Sequence, residues 1–327
     1  MKTLFCLAIL PTLVSALSTE AKEESDGSHI SSALAAIGML TYAIAGIVHW
    51  IHFFRNRQNR YALTLCIGMS VMVLGFLLRL LYANGDEGVG FGMTVLPLLA
   101  PCAFLAINYM LLTRVAKALK AQAALFIRVG FVVHLFIWSD IVSFVSLLAG
   151  EVMVAIGGTE SAIGHAIAIG GLVLQVVSYS LFCTLLISFR KQVPRMFPHI
   201  EEQVNRFSWR SFRFWSNQPI TDYQFLLTLM GITSIGILIR CVFRVIEFAV
   251  GFTGYIATHE VFFYLFDALP LLLSMSLYSI FWPPRFVQGS RSIGSSEYLR
   301  NLQHKASDQI MEESKIDRHE YVSARGR

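Results

Sequence analysis

Seven long apolar segments run through the chain and constrain its fold more than any other feature. A helix that crosses the hydrocarbon core of a bilayer needs about 20 predominantly apolar residues, and each segment is long enough. Only 14% of the 327 residues are charged, whereas about a quarter are charged in a typical soluble domain. We therefore predict an all-α, polytopic membrane protein with seven transmembrane helices. The predicted spans are residues 30–54, 61–83, 91–113, 126–149, 164–189, 223–248 and 259–282.

The basic residues between these segments alternate along the chain. Lys and Arg number three, four, six and eight in residues 55–60, 114–128, 190–222 and 283–327. The connections in between carry none: 84–90, 150–163 and 249–258. Because cytoplasmic loops are enriched in Lys and Arg, this alternation predicts an N-terminus outside and a C-terminus inside.

The two ends of the chain differ in composition from the membrane domain at residues 30–282. Residues 1–16 resemble a secretory signal peptide, with Lys2, an apolar core and a small-residue cleavage site; an uncleaved anchor is the alternative. Residues 17–29 would then form an extracellular tail. Residues 283–327 are Ser-rich with mixed charge, and we predict a disordered cytoplasmic tail. A secretory signal predicts entry through the secretory pathway, and we expect a multi-pass protein of the plasma membrane.

Several classes of function are disfavoured by the sequence. The net charge of +5 lies in short loops and the C-terminal segment, which is typical of membrane orientation and argues against nucleic-acid binding. No Walker A, Gly-x-Ser-x-Gly or His-Glu-x-x-His motif occurs. The histidines fall at different predicted depths, so a zinc hydrolase fits poorly. We expect no metal, no redox cofactor and no enzymatic activity.

Ionisable side chains interrupt the apolar stretch from Ile239 to Pro270. Two sets follow the i, i+4, i+7 spacing of one helix face. They are Arg240, Arg244 and Glu247 on the sixth segment, and Glu260, Tyr264 and Asp267 on the seventh. Two antiparallel helices could set the arginines against the acidic residues, because a charge in hydrocarbon needs a partner or water.

Two further charges lie within other spans: Arg79 near the outer end of the second and Asp140 past the middle of the fourth. Depth along each helix places all of these charges at or outside the midplane. One interpretation is structural, with salt bridges that hold the spans in register. The other is a cavity for an amphipathic substrate, in which arginines suit phosphate or carboxylate and acids suit an amine. Proton coupling through Asp140 or Asp267 is a further hypothesis.

The charged motif also resembles a known family. The residues that carry the resemblance are Arg240 to Glu247, Gly251, Gly254-Tyr255, His259 to Asp267, His49, Gly75-Phe76, Arg79, Ala100-Pro101, Tyr109-Met110, Asp140, Ser143-Phe144, Gly171-Leu172 and Gln175. They are similar to the fungal seven-span lipid-translocating exporter family, which is linked to resistance to aminocholesterol, molasses toxicity and sphingoid bases. The resemblance covers most of residues 40–285.

The chain departs from the pattern of this family at several positions. Met72 stands where an acidic residue is expected, Leu147 stands where Gln is expected, and Glu151 interrupts a Gly pair. Trp282-Pro283-Pro284 replaces the usual His-Pro-Gly. The resemblance implies export or flipping of amphipathic lipids, such as sphingoid long-chain bases or sterol-like toxic compounds, with membrane lipids as partners. The alternative is a seven-span lipid or stress sensor that transports nothing.

Overall fold

The computed structural model describes residues 31–56, 60–156, 160–198, 200, 204, 218–250 and 259–295. Seven helices in this part of the chain are long and apolar enough to cross a membrane, which confirms the all-α, seven-helix prediction. They are α1 Ser32–Arg55, α2 Leu63–Ala83, α3 Gly90–Ala118, α4 Val129–Ile156, α5 Glu160–Met196, α6 Tyr223–Val250 and α7 Glu260–Ile280. The proposed signal peptide at 1–16 and tail at 17–29 lie outside the described residues.

Local capping explains where two of the helices begin. Ser31 precedes α1, and its Oγ accepts a hydrogen bond from the Leu34 amide at 3.4 Å. Asp222 precedes α6, and its Oδ1 accepts from the Phe225 amide at 2.9 Å. Both side chains satisfy amides that the first helical turn leaves without a partner.

The seven helices form a closed ring in chain order. Each helix packs against the next one, and α7 returns to pack against α1. Of the seven helices, α3 lies nearest the centre of the bundle, since it also contacts α5 and α6 and has the largest buried fraction. Its buried side chains, among them Phe104, Tyr109 and Leu112, belong to the main hydrophobic core.

Proline shapes the helices near the charged residues. Pro101 has no amide hydrogen, so the Pro97 carbonyl one turn earlier lacks its usual helical partner. Pro270 deprives the Phe266 carbonyl in the same way, and α7 widens to a π-helix over Phe263–Ala268 just before it. The sequence analysis did not anticipate this wide turn, which contains Asp267.

The beginning of the predicted disordered tail is helical. Residues 283–295 form a helix, α8, with Phe286, Val287 and Ile293 buried. The Ile220 amide donates to the Arg285 carbonyl, and Arg285 Nε donates to the Gln218 carbonyl, each at 3.1 Å. Burial lowers the pKa of the Arg285 guanidinium. The prediction was therefore wrong here, because the polar average of the segment concealed apolar residues that pack on the bundle. Residues 296–327 lie outside the described residues.

Candidate functional site

Asp267 is the centre of a buried ionic network between α6 and α7. Its Oδ1 lies 2.5 Å from Arg240 Nε, and its Oδ2 accepts a hydrogen bond from Arg244 Nη2 at 2.6 Å. Arg244 Nη1 also donates to Glu247 Oε2 at 3.0 Å. Asp267 is only 1% exposed. Two guanidinium groups thus converge on one carboxylate, which compensates the cost of burying these charges.

Arg240 is held from a third side by α3. Its Nη2 donates to the Pro97 carbonyl at 2.9 Å. This carbonyl is available because Pro101 cannot donate to it within the helix. The ionic network therefore joins α3, α6 and α7.

A second ion pair, between Arg79 and Glu260, joins α2 to the start of α7. Glu260 Oε2 also accepts from the Ser31 amide at 3.0 Å, which brings in α1. The Phe263 ring lies between the pair and the network. The guanidinium carbons of Arg79 and Arg244 are 4.4 Å and 5.5 Å from its centroid, within the range of cation–π attraction.

The sequence analysis expected the acidic face of the seventh segment to meet the arginines of the sixth. The structure divides that face: Asp267 pairs with α6, whereas Glu260 pairs with Arg79 of α2. Tyr264 is buried between them and stacks on Phe76, with 6.0 Å between ring centroids. Six of the eight predicted residues therefore take part in the two ionic groups, and Tyr264 lies against them.

The two ionic groups border a cavity of about 170 Å³ at the end of the bundle where α7 begins. We call it the end cavity. It is lined by Arg79, Met93, Thr94, Pro97, Glu151, Arg244, Glu247, Phe248, His259, Glu260 and Phe263. Arg240 and Asp267 do not line it, so the fully buried ion pair lies behind its wall. The lining combines charged groups with apolar and aromatic surface, as a site for an amphipathic molecule would.

Glu151 is the cavity residue that the sequence analysis had recorded only as a departure from the family pattern. It lies within electrostatic range of Arg244 and Glu247. No Lys or Arg of the described residues lies within 4 Å of its carboxylate. The sequence analysis ended the fourth span at residue 149 and counted Glu151 in the loop that follows, whereas α4 continues to Ile156 and carries Glu151 to the cavity.

Asp140 is the predicted site residue that stays apart from the ionic network. It is 3% exposed on α4, and neither carboxylate oxygen makes a hydrogen bond in the described part of the chain. The Tyr109 hydroxyl of α3 is close enough to interact with it. The structure therefore separates Asp140 from the arginines with which the sequence had grouped it.

A neutral polar network crosses the bundle core and was missed by sequence reasoning. The Asn108 amide donates to Tyr179 Oη at 3.0 Å, and the Tyr278 hydroxyl donates to Asn108 Oδ1 at 2.5 Å. Tyr179 and Tyr278 extend it to Ser234 and Thr233 of α6, at 3.0 Å and 2.9 Å. Single polar residues in apolar spans gave no pattern from which these partners could be deduced.

The two histidines of α1 pack into the opposite end of the bundle. His49 Nδ1 lies 2.9 Å from Ser279 Oγ, and the His52 ring stacks on Trp282 at 5.2 Å. Within the described residues, no three His, Cys, Asp or Glu side chains are arranged to hold a metal ion.

The sequence matches the family described as RTA1 like protein over residues 65–290. Among curated proteins of Saccharomyces cerevisiae, it is 28% identical to Protein RTM1, over 66% of this chain and 65% of that one. It is 28% identical to Protoporphyrin uptake protein 1, over 65% of each chain. It is 26% identical to the Sphingoid long-chain base transporter RSB1 of strain YJM789, over 73% of this chain and 69% of that one. No solved structure matches the chain.

The first two relatives are thus matched over slightly less than two thirds of their length. The family match contains helices α2 to α7, including both ionic groups and the end cavity. It covers well over half of the 327 residues. This chain belongs to the RTA1-like protein family.

Proposed function

We propose that this protein translocates amphipathic lipids with a cationic amine headgroup across the membrane, and so confers resistance to them. The observation that carries the proposal is the charge balance around the end cavity. The three arginines already have carboxylate partners, whereas Glu151 has no cationic partner among the described residues.

The count of charged side chains around the end cavity favours a cationic lipid headgroup over an anionic one. Arg79, Arg240 and Arg244 supply three positive charges, and the acids Glu151, Glu247, Glu260 and Asp267 supply four negative ones. The balance is three minus four, or one negative charge. A phosphate or carboxylate ligand would have to break an existing ion pair, whereas an ammonium could bind beside Glu151 and Glu247.

The relatives support transport of an amphipathic molecule. One is named as a transporter of sphingoid long-chain bases and another as a protein of protoporphyrin uptake. The present chain shares the charged residues of α2, α6 and α7 with the fungal exporter pattern, which favours lipid handling over an enzymatic role.

We further propose that the end cavity faces outside, with the N-terminus outside and the C-terminus inside, in the plasma membrane. The basic segments 55–60, 114–128 and 190–222 support this orientation, since the helix ends that they connect lie at the end of the bundle opposite the cavity. A lipid exporter needs its release site on that outer side.

The test is translocation of a fluorescent sphingoid base by purified protein in liposomes. Wild type is compared with Glu151→Gln, and with Asp86→Asn as a control of equal charge change. Asp86 is exposed at the same end of the bundle and is not a cavity residue. We expect roughly ten- to hundredfold weaker apparent affinity in Glu151→Gln, because a hydrogen bond to a charged group contributes about 1.5–3 kcal/mol. Asp86→Asn should match wild type.

Two outcomes would contradict the proposal. Movement of an anionic lipid but not of the amine would overturn the headgroup assignment. No movement of any lipid by well-folded wild type would favour the sensor, in which the same ionic network only holds the helices in register.

A further inference from the structure

We propose that Asp140 is a proton-binding site, separate from the end cavity, at which the carboxylate takes up and releases the proton that drives transport. The site itself rests on the geometry of the bundle core. Only its coupling to transport rests on the proposed function.

The contrast between two buried aspartates is the starting point. Asp267 lies 2.5 and 2.6 Å from two guanidinium groups, which supply its counter-charge. Asp140 is 3% exposed, yet no Lys or Arg of the described residues lies within 4 Å of it, and the hydroxyl of Tyr109, which is uncharged, is its nearest polar neighbour among them. An ionised carboxylate cannot remain in such a place without a counter-charge, so it must hold a proton or a cation.

The surroundings of Asp140 favour a proton over a metal cation. The ionisable groups that face it are Tyr109 and Cys102 of α3 and Cys241 of α6, with Tyr179 of α5 behind Tyr109 and Arg240 beyond the two thiols. The Tyr109 ring itself packs on the rings of Phe136 and Phe182, with centroids 5.2 Å and 4.8 Å apart. Sodium requires several oxygen ligands, whereas these groups offer one hydroxyl and two thiols.

The position of Asp140 suits a group that passes a proton between the two ends of the bundle. It lies eleven residues before Glu151 on α4, or about 16 Å deeper than the end cavity. Its neighbour Cys102 lies five residues, or about 7.5 Å, deeper along α3 than Pro97, whose carbonyl accepts a hydrogen bond from Arg240. On the other side of Asp140, the Tyr109 ring packs on Tyr179. Tyr179 belongs to the neutral polar network, which continues to Asn108 and Tyr278.

The test combines infrared spectroscopy, which detects the proton on Asp140, with transport assays, which detect its coupling to transport. The proton site and the coupling can therefore be refuted separately. Protonated carboxylic acids give a carbonyl stretching band that ionised carboxylates lack. We expect this band in purified wild type at neutral pH, its loss in Asp140→Asn, and its retention in Ser143→Ala. Ser143 is the matched control, since it is buried on the same helix and bonds only to the Ser139 carbonyl.

A second variant keeps the test decisive if Asp140→Asn does not fold. Tyr109→Phe removes the nearest hydroxyl and should shift the band without abolishing it. A band that is unchanged in folded Asp140→Asn, or unchanged in Tyr109→Phe, would overturn the site.

Coupling is then measured with imposed gradients in liposomes. An inward-directed pH gradient should change the translocation rate of wild type several-fold and leave folded Asp140→Asn unaffected. A wild type that responds to a sodium gradient and not to pH would overturn proton coupling. If the infrared band behaves as expected but no lipid moves, the proton site stands and the proposed function fails.

Discussion

The Arg244 guanidinium and the Asp267 carboxylate meet across α6 and α7, with 2.6 Å between Nη2 and Oδ2. Both side chains are almost completely buried. Their partners, Arg240 and Glu247, extend the contact along α6. The stability of this helix pair therefore depends on the charge of a single carboxylate.

Replacement of Asp267 by Asn should strongly destabilise the protein. It would leave Arg240 and Arg244 buried with less negative charge than they require, and breaking a buried pair costs about 3–5 kcal/mol. The thermal midpoint in detergent measures this loss. Glu247→Gln is the control, because that pair is more exposed and only its contact with Arg244 disappears. Equal midpoints for the two variants would show that Asp267 does not organise the network.

Arg79 and Glu260 should be energetically coupled, since each is the ionic partner of the other across α2 and α7. We expect Arg79→Gln plus Glu260→Gln to cost less than the sum of the single changes, with a coupling of about 0.5–3 kcal/mol. A double-mutant cycle of thermal stability measures it. Additive losses would mean that the Phe263 ring, rather than the pair, holds Arg79.

Gly236 should be irreplaceable at the contact of α6 with α7. A Cβ at this position would clash with Ser274 Oγ and lie 2.8 Å from the Pro270 carbonyl oxygen. Gly231, five residues earlier on the same helix, has nothing within 4 Å of an added Cβ. Gly236→Ala should therefore lower the thermal midpoint, whereas Gly231→Ala should preserve or raise it, because Ala favours the helix. The opposite order would contradict the close approach of these helices.

The Tyr278 hydroxyl should contribute measurably to stability, because it contacts both Asn108 and Thr233. Tyr278→Phe would leave buried polar groups without their partner, at a cost of about 1–3 kcal/mol. Half-buried Tyr82 on α2 provides a Tyr→Phe control near the other end of the bundle. Chemical denaturation in mixed micelles compares the two. Equal stability of the two variants would mean that the neutral network does not stabilise the fold.

The parts predicted from the sequence are those that depend on properties along one helix. Apolar length gave seven spans, and the i, i+4, i+7 spacing placed Arg240, Arg244 and Glu247 on one face. Partners across helices depend on how each helix is rotated in the bundle, which periodicity does not determine. The separation of Asp140, the contact of Glu260 with Arg79, and the arrival of Glu151 at the cavity therefore emerged only from the packing.

The effect of the prolines on neighbouring helices could not be predicted from the sequence either. Pro97, Pro101 and Pro270 can be read from the sequence as residues that lack an amide hydrogen. The carbonyl that each proline frees follows from the sequence, but the side chain that then bonds to it depends on the neighbouring helix. Arg240 takes the Pro97 carbonyl, and the widened turn before Pro270 sets the position of Asp267.

The ion pairs of Asp267 with Arg240 and Arg244 also bear on how the helices enter the membrane, because the ribosome makes α6 before α7. Arg244 is synthesised 23 residues before the carboxylate that neutralises it. A helix with an unpaired arginine at its centre inserts at a cost of about 2.5–3.5 kcal/mol, and α6 carries two arginines. We therefore expect α6 to insert poorly on its own, and to enter the bilayer together with α7 so that Asp267 neutralises its arginines.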